Sequence, residues 1–258
     1  MAIDKAVDSA ALDSALTDIA NAIRTKTGGT DPLTLEQMPS EIEGISGGGV
    51  DHSVEDAIIT RSITGDYEND RITIVGKNAF YACQALTSVN LKNCVEIQYG
   101  AFAACRALSV NAPKLTTLGE RAFNGSSILT FNGPLVTSIG YSCFLNSALT
   151  SATLPLVTTV PSGCLRECGK LERVDLGAAT SIARTAFTDS TALETLIIRT
   201  ETLCTIADAS VTLRGSKIAA GTGYIYVPDE LVDSYKEETN WVVFANQIRG
   251  LSELEASA

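Results

Sequence analysis

Apolar residues in the middle of the chain recur with a nearly constant period. Taking one aliphatic residue as the first position of each unit gives steps of 22, 21, 21, 21, 22 and 24 residues, at Val75, Ile97, Leu118, Ile139, Val160, Ile182 and Ile206. A large apolar residue follows five positions after each of the first six, at Phe80, Phe102, Phe123, Phe144, Leu165 and Phe187. This fixed period predicts an array of stacked repeat units over residues 75–205.

Each unit also carries small positions and a predicted strand. The residue before the large apolar position is Ala or Cys, and the third residue after it is Cys or Ser. A Leu-x-x-Z-x-Z pattern, in which Z is apolar, closes the unit and is clearest at 86–91, 171–176 and 193–198. Because this alternation has period two, it predicts a strand with one face turned to the core.

The units resemble the BspA-like class of leucine-rich repeats. The stretch KNAFYACQALTSVNL at 77–91 carries an Ala-Phe pair, a Cys three residues on and the closing Leu-x-x-Val-x-Leu. A strand and a return segment in 21 to 22 residues form one coil of a solenoid, which covers the apolar face of the next coil. The resemblance implies a right-handed leucine-rich-repeat array of six or seven coils. The whole chain is therefore expected to be a β-rich solenoid with a short helical N-terminal module and an α/β C-terminal cap. Units three and four depart from the pattern, with Ile128 and Leu149 in the Leu position.

Residues 1–49 are predicted to form the helical module. Four apolar residues lie on one stripe of a helix with 3.6 residues per turn, and we expect this stripe to be an assembly surface: Leu12, Leu16, Ile19 and Ile23. A second short helix is expected from Thr34, and Gly47-Gly48-Gly49 reads as a flexible joint. So short a segment cannot bury its stripe alone, which favours packing against other copies or a partner.

The segments flanking the array are predicted to be caps. Residues 50–74 are interpreted as a hairpin about Gly65-Asp66, covering the first coil. Residues 206–258 are interpreted as the C-terminal cap, with a strand at 224–227 and a helix that Asp229 caps. Trp241, Phe244 and Ile248 give a further apolar stripe there.

Charge and composition narrow the function classes. The 258 residues include 30 acids and 19 bases, giving a formal net charge of −11, so we expect no nucleic-acid partner. No uninterrupted apolar stretch predicts a secretory signal or a membrane span. The one histidine, His52, follows the glycine joint without a recognisable nucleophile motif nearby, so a solvated linker histidine is favoured over a general base.

The seven cysteines fit structural positions better than reactive ones. Cys143 and Cys164 share a position with Ala, whereas Cys83, Cys105 and Cys168 share one with Ser. We therefore expect no metal site at Cys164-x-x-x-Cys168, although an incidental disulfide between Cys83 and Cys105 stays open. The sequence predicts no catalytic residue and no cofactor, and hence a protein that is not an enzyme.

Surface recognition is the better-supported activity. The residues that alternate with the inward pair are predicted to form a concave binding face: Ser88, Asn90, Ser109, Asn111, Thr130, Asn132, Ser151, Thr153, Arg173 and Asp175. A host-surface glycan or protein is the expected ligand, and a merely solvated polar face is the alternative. Tyr99 and Tyr141 share a position two units apart, and the pattern fits either exposure or partial burial.

Residues 8–45 resemble the N-terminal segment of phage tail, baseplate and fibre proteins from Gram-positive gut bacteria. This resemblance implies a virion structural or attachment protein, bound to other virion proteins through its N-terminal module and homo-oligomeric, with a trimer as one form. The alternative is a BspA-like adhesin at the bacterial cell surface. An adhesin requires export, and because no export signal is visible we place the virion interpretation first.

Overall fold

The computed structural model describes residues 63–106 and 109–256. Their strands alternate between longer and two-residue segments. The longer ones are β1 (Gly65–Glu68), β3 (Leu86–Asn90), β5 (Ser109–Asn111), β7 (Thr130–Asn132), β9 (Ser151–Leu154), β11 (Arg173–Leu176), β13 (Thr195–Ile198), β15 (Tyr224–Val227) and β16 (Ile248–Gly250). The short ones are β2 (Ile74–Val75), β4 (Glu96–Ile97), β6 (Thr117–Leu118), β8 (Ser138–Ile139), β10 (Thr159–Val160), β12 (Ser181–Ile182) and β14 (Thr205–Ile206). The aliphatic residue that sets the sequence period is the second residue of every short strand.

All strand pairs among the described residues are parallel, and each joins neighbouring units. The longer strands form two sheets, in the orders β1-β3-β5 and β16-β15-β13-β11-β9-β7. The short strands form β2-β4-β6-β8 and β10-β12-β14. Because most repeat strands pair with their equivalents in the next unit, the units stack as the sequence period predicts.

A column of phenylalanine rings runs through the interior. Ring centroids are 4.8 Å apart for Phe80 and Phe102, and 5.2 Å apart for both Phe102–Phe123 and Phe123–Phe144. These pairs are stacked with interplanar angles of 10° or less. Leu165 and Phe187 take the same position in the next two units and are also fully buried. The rings fill the space between the two layers of strands.

The return segments share an unusual backbone geometry. A left-handed conformation recurs three and seven residues after the aliphatic position of a unit. The first five units have it at both positions, and the sixth has it at the second position only. Its φ angle lies between 52° and 68° at Asn78, Ala82, Gly100, Ala104, Arg121, Gly125, Ser142, Asn146, Gly163, Glu167 and Asp189. Most of these are not glycine, although the left-handed region is unfavourable for a residue with a Cβ. Their recurrence shows that the whole array uses one turn geometry.

The N-terminal hairpin prediction is wrong over the residues that the structure describes. Gly65 and Asp66 do not form a turn; they begin β1, which pairs in parallel with β3. β2 pairs with β4 in a different sheet, so residues 65–75 repeat the second half of a unit. Pairing with β3 satisfies the β1 backbone and overrides the local turn preference of Gly-Asp. Residues 50–62 and the N-terminal module of residues 1–49 lie outside the described part.

The C-terminal segment continues the sheet and closes the core. Its helical elements are α1 (Ala209–Thr212), a 3-10 helix at Asp229–Leu231, α2 (Val232–Glu237), a 3-10 helix at Val242–Gln247 and α3 (Leu251–Glu255). Tyr235 and Trp241 are fully buried, and both bind the backbone of Cys204: its N–H donates to Tyr235 Oη at 2.8 Å, and its carbonyl accepts from Trp241 Nε1 at 2.7 Å. These two side chains satisfy the backbone at the last repeat strand. Of the described helices, none is long and apolar enough to cross a bilayer.

Two details of the predicted cap are corrected. Asp229 does not cap the helix it begins; its carboxylate accepts from Ser252 N at 3.3 Å and from Ser252 Oγ at 2.7 Å, at the start of α3. Ile248 is buried in strand β16 rather than in a helix with Trp241 and Phe244. Pairing of β16 with β15 explains the second difference, because it draws residues 248–250 into the sheet.

Candidate functional site

The outer side chains of the longer strands form one face, which we call the strand face. Ser88 aligns with Ser109, and Asn90 aligns with Asn111. In the larger sheet two rows run across the strands: Thr130, Ser151, Arg173, Thr195 and Tyr224 in one, and Asn132, Thr153, Asp175, Ile197, Tyr226 and Arg249 in the other. The ten residues predicted from the sequence thus occupy matching positions on successive strands. Ligand binding by them stays a prediction.

The strand face is divided between β5 and β7, close to the units whose sequences depart from the leucine pattern. β5 and β7 belong to different sheets, so the row of residues is not continuous between Asn111 and Asn132. Both strands contain only three residues. The face therefore has an N-terminal part on β1, β3 and β5 and a longer part from β7 to β16.

The N-terminal part is acidic and internally hydrogen-bonded. Asn111 Nδ2 donates to Asn90 Oδ1 at 2.9 Å, and Asn90 Nδ2 donates to Glu68 Oε1 at 2.9 Å. Lys92 lies 2.7 Å from Glu68 and 3.1 Å from Asp70. The hydroxyls of Ser88 and Thr87 donate to Asp66 and lower the pKa of its carboxyl. Much of the polar capacity here is used within the protein.

The central part carries short, neutral groups. Thr130, Asn132 and Thr153 are exposed, and Ser151 is half-buried. Two exposed leucines lie beside the ends of these strands, Leu135 at 45% and Leu156 at 42% exposure. This region therefore combines hydroxyl and amide groups with an apolar margin.

Arginine and tyrosine dominate the C-terminal part. Arg199 Nε and Nη2 donate to the two oxygens of Asp175, each at 2.9 Å, and this pairing raises the pKa of the guanidinium. Tyr224 and Tyr226 lie with ring centroids 6.2 Å apart, and the Arg249 guanidinium carbon lies 4.9 Å from the Tyr224 ring centroid. These two tyrosines and Arg249 were missing from the predicted face. In the sequence, Tyr224 and Tyr226 alternate with the apolar Ile225 and Val227, which indicates that the two tyrosines point outward. The alternation does not indicate which strand β15 pairs with.

A second arginine–tyrosine cluster lies in the return segments, away from the strand face. Tyr99 and Tyr141 are 37% and 47% exposed, so the exposed alternative holds. Arg121 Nη1 donates to Tyr99 Oη at 3.2 Å, and Arg121 Nε lies 3.7 Å from Glu120.

The seven cysteines are buried in the core as thiols. Burial raises the pKa of Cys94 to about 11 and that of Cys204 to about 12, and it raises the pKa of Cys143, Cys164 and Cys168 as well. Thiols of this kind are poor nucleophiles. Cys83 and Cys105 are not joined by a disulfide, and within residues 63–106 and 109–256 no cluster of metal-ligating side chains occurs. His52 and the predicted assembly stripe at Leu12, Leu16, Ile19 and Ile23 lie outside the described residues.

Comparison with known proteins identifies the repeats. Residues 95–210 match the family model for the BspA type leucine rich repeat region, in six copies. No curated protein matches the chain significantly. This family match gives no support to the phage resemblance of residues 8–45.

Three solved structures of bacterial repeat proteins are similar at low identity. A leucine-rich repeat protein from Eubacterium ventriosum shares 17% identity at a TM-score of 0.42, covering 64% of this chain and 66% of that one. One from Bacteroides ovatus shares 16% at 0.34, covering 67% and 64%. A leucine rich cell surface protein from Faecalibacterium prausnitzii shares 15% at 0.26, covering 76% and 81%. The matched part is slightly less than two thirds of the length of the first two. The described strands have a leucine-rich-repeat fold of parallel sheets with few helices, and residues 95–210 are similar to the BspA type.

Proposed function

We propose that this chain is a non-enzymatic binding scaffold, adhesin-like and of the BspA-like kind, which presents its strand face at a bacterial surface. The match of residues 95–210 to six BspA-type repeats carries the proposal. The sequence resemblance links such repeats to adhesins of the bacterial cell surface. This favours the adhesin alternative over the virion interpretation.

The geometry of the strand face supports a binding role. Hydroxyl and amide side chains stand in rows on parallel strands, which lie about 4.8 Å apart. A backbone held in a packed sheet has little freedom to lose when a ligand binds, so ordering of the binding surface adds little to the entropic cost of association. A host-surface glycan or protein is the proposed ligand.

The chemistry of the described residues favours binding over catalysis. The cysteine side chains are buried, and their raised pKa values keep them protonated near neutral pH. The exposed carboxylates of Asp66 and Asp189 have lowered pKa values because Ser88 and Arg214, respectively, donate to them. A carboxylate held in its charged form by such partners is a weak general base.

Attachment of coated beads tests this proposal. Beads carrying the full chain are expected to attach to epithelial cells more than albumin-coated beads. The variant Asn90→Lys/Asn111→Lys/Asn132→Lys places three charges along the strand face and is expected to reduce attachment at least fivefold, because it disrupts neutral hydrogen-bonding rows. Folding is expected to persist, since outward positions tolerate substitution within about 0.5 kcal/mol.

A control variant places three lysines elsewhere. Thr116→Lys/Glu120→Lys/Thr137→Lys changes three exposed residues outside the longer strands and is expected to keep full attachment. Equal losses in both variants would remove the strand face from recognition. Wild-type attachment no greater than that of albumin would overturn the adhesin-like function itself.

A second candidate, a virion structural or attachment protein, rests on the sequence pattern of residues 8–45. It predicts that a label on residue 258 co-sediments with phage particles. It also predicts that Leu16→Asp/Ile19→Asp abolishes this association, because the two charges would be buried in the assembly stripe. A label that stays in the supernatant would eliminate this candidate.

A further inference from the structure

The C-terminal end of the strand face has the composition of a protein-binding hot spot. Six side chains form what we call the arginine–tyrosine patch: Arg173, Asp175, Arg199, Tyr224, Tyr226 and Arg249. Sheet register brings them together, since β11 pairs with β13, β13 with β15 and β15 with β16. Tyrosine and arginine are strongly enriched among residues that dominate binding energy at protein interfaces. The central part of the face contains neither.

The patch is held in place by its own packing. Ile197 is fully buried, although strand alternation turns it away from the interior, where Leu196 and Ile198 join the main core. Groups on the outer side of the sheet therefore cover it, and it aligns with Asp175 on one side and Tyr226 on the other. A surface ordered before its partner arrives loses less entropy on binding.

One guanidinium in the patch keeps its hydrogen-bonding capacity for a ligand. Arg199 takes both oxygens of Asp175, and Arg249 Nη1 donates to the carbonyls of Asn246 and Ile248, both at 2.9 Å. Arg173 Nη2 is 3.8 Å from Asp175, which is beyond a hydrogen bond, and its side chain is 43% exposed. Arginine binds carboxylates through two parallel N–H···O bonds, so Arg173 suits an incoming carboxylate.

We propose that the arginine–tyrosine patch docks an extended segment of a partner protein that carries a carboxylate beside an aromatic side chain. The carboxylate pairs with Arg173, and the aromatic ring packs against Tyr224 and Tyr226. This inference rests on the proposed binding function and specifies its partner. A sugar ring fits less well, because sugars stack on the face of an aromatic ring and the Arg249 guanidinium already lies over that of Tyr224. An aromatic side chain can instead pack against a ring edge. At the other end of the face, Asp66, Glu68 and Asp70 repel an acidic segment.

A random copolymer of glutamate and tyrosine provides a defined probe. The fluorescein-labelled copolymer is titrated with the full chain at 50 mM salt and followed by fluorescence anisotropy. We expect saturable binding by the wild type and at least tenfold weaker binding by Arg173→Glu/Tyr224→Ala. Arg173→Lys keeps the charge without the two-pronged geometry and is expected to bind several-fold more weakly than wild type.

The cluster in the return segments provides a matched control. Arg121→Glu/Tyr141→Ala makes the same chemical changes at two exposed residues away from the strand face and is expected to bind within twofold of wild type. Circular dichroism melting curves verify that both double variants fold.

The inference is overturned if the wild type does not bind the copolymer or if both double variants lose binding equally. It is also overturned if polygalacturonate, an acidic polysaccharide, binds through the patch and the copolymer does not. Bead attachment separates the two proposals. Suppose that Arg173→Glu/Tyr224→Ala leaves both bead attachment and copolymer binding unchanged. That result would overturn the inference about the patch but would not contradict the proposed binding function.

Discussion

The buried position eight residues after each aliphatic one uses its polar group differently from unit to unit. Ser190 Oγ donates to the carbonyl of Leu165 at 2.6 Å and accepts from the backbone N–H of Cys168 at 3.1 Å. Ser126 Oγ is buried as well, yet no residue in the described part of the chain binds it. At the same position of the repeat, a serine hydroxyl therefore stabilises one unit through hydrogen bonds and destabilises another by being buried without a partner.

Replacing these two serines by alanine is expected to have opposite consequences. Ser190→Ala leaves a buried carbonyl and a buried N–H without their partner, so the free energy of unfolding is expected to fall by about 1 to 3 kcal/mol. Ser126→Ala removes an unpaired hydroxyl and is expected to leave stability unchanged or raise it by up to about 1 kcal/mol. Urea titrations monitored by circular dichroism measure both. A loss for Ser126→Ala equal to that for Ser190→Ala would contradict this explanation.

Sequence reasoning predicts such positions but not their hydrogen bonds. The shared register of Cys83, Ser126 and Cys168 correctly indicates a small buried side chain. Whether a hydroxyl finds a partner depends on backbone atoms one unit away. The left-handed conformation at Ala82 and Ala104 is likewise hidden, because alanine carries no local preference for it.

Strands and return segments are both bonded from unit to unit. The backbone N–H of Phe102 donates to Ala122 O at 2.7 Å, and that of Phe123 donates to Cys143 O at 2.8 Å. The stacked rings attached to these amides fill the interior between the strand layers. One phenylalanine therefore contributes to two interfaces, one with the unit on each side.

Truncating a central ring is expected to be severe. Phe123→Ala leaves a cavity between Phe102 and Phe144 and should cost about 3 to 5 kcal/mol of unfolding free energy. Phe123→Leu is expected to cost less than half as much, because Leu165 already fills the equivalent position two units on. Thermal melts followed by circular dichroism compare the two variants with wild type. An unchanged melt for Phe123→Ala would contradict the importance of the ring column.

Elements within the array were predictable, and so was the strand at 224–227, but the strand pairings at the ends of the array were not. Leucine spacing at Leu171 and Leu193 identifies strands β11 and β13 because most units repeat the same signal. At the N-terminal end, Gly65-Asp66 has the composition of a turn, and only pairing with β3 makes it a strand. At the C-terminal end, Tyr224 and Tyr226 join the candidate site through a pairing with β13 that no local pattern encodes.

Across the array the seven thiols are protected by the same core. Burial holds the pKa of Cys94 at about 11 and that of Cys204 at about 12, above the ordinary value of 9.0. Unfolding releases each thiol to ionise at its ordinary pKa. The stabilisation that comes from keeping these groups neutral is therefore complete below about pH 9 and is lost as the pH rises towards the folded-state pKa values.

Alkaline pH is accordingly expected to weaken the fold partly through its cysteines. Between pH 9 and pH 10, Cys94→Ala/Cys204→Ala should lose less unfolding free energy than wild type, by about 1 to 2 kcal/mol, because each ionising thiol contributes at most 1.36 kcal/mol per pH unit. Urea titrations at pH 7, 9 and 10 measure the difference. Iodoacetamide should label Cys94 and Cys204 slowly in native buffer and rapidly in urea. Fast native labelling would contradict their burial.

The pairing of most strands with their equivalents in the neighbouring unit also determines how the array responds to force. Tension along the chain reaches the terminal unit first, and peeling it away breaks bonds to a single neighbour while the remaining units stay intact. Each released unit of 21 residues lengthens the tether by about 70 Å. An array built in this way absorbs a sudden pull in steps of one unit rather than in a single unfolding event.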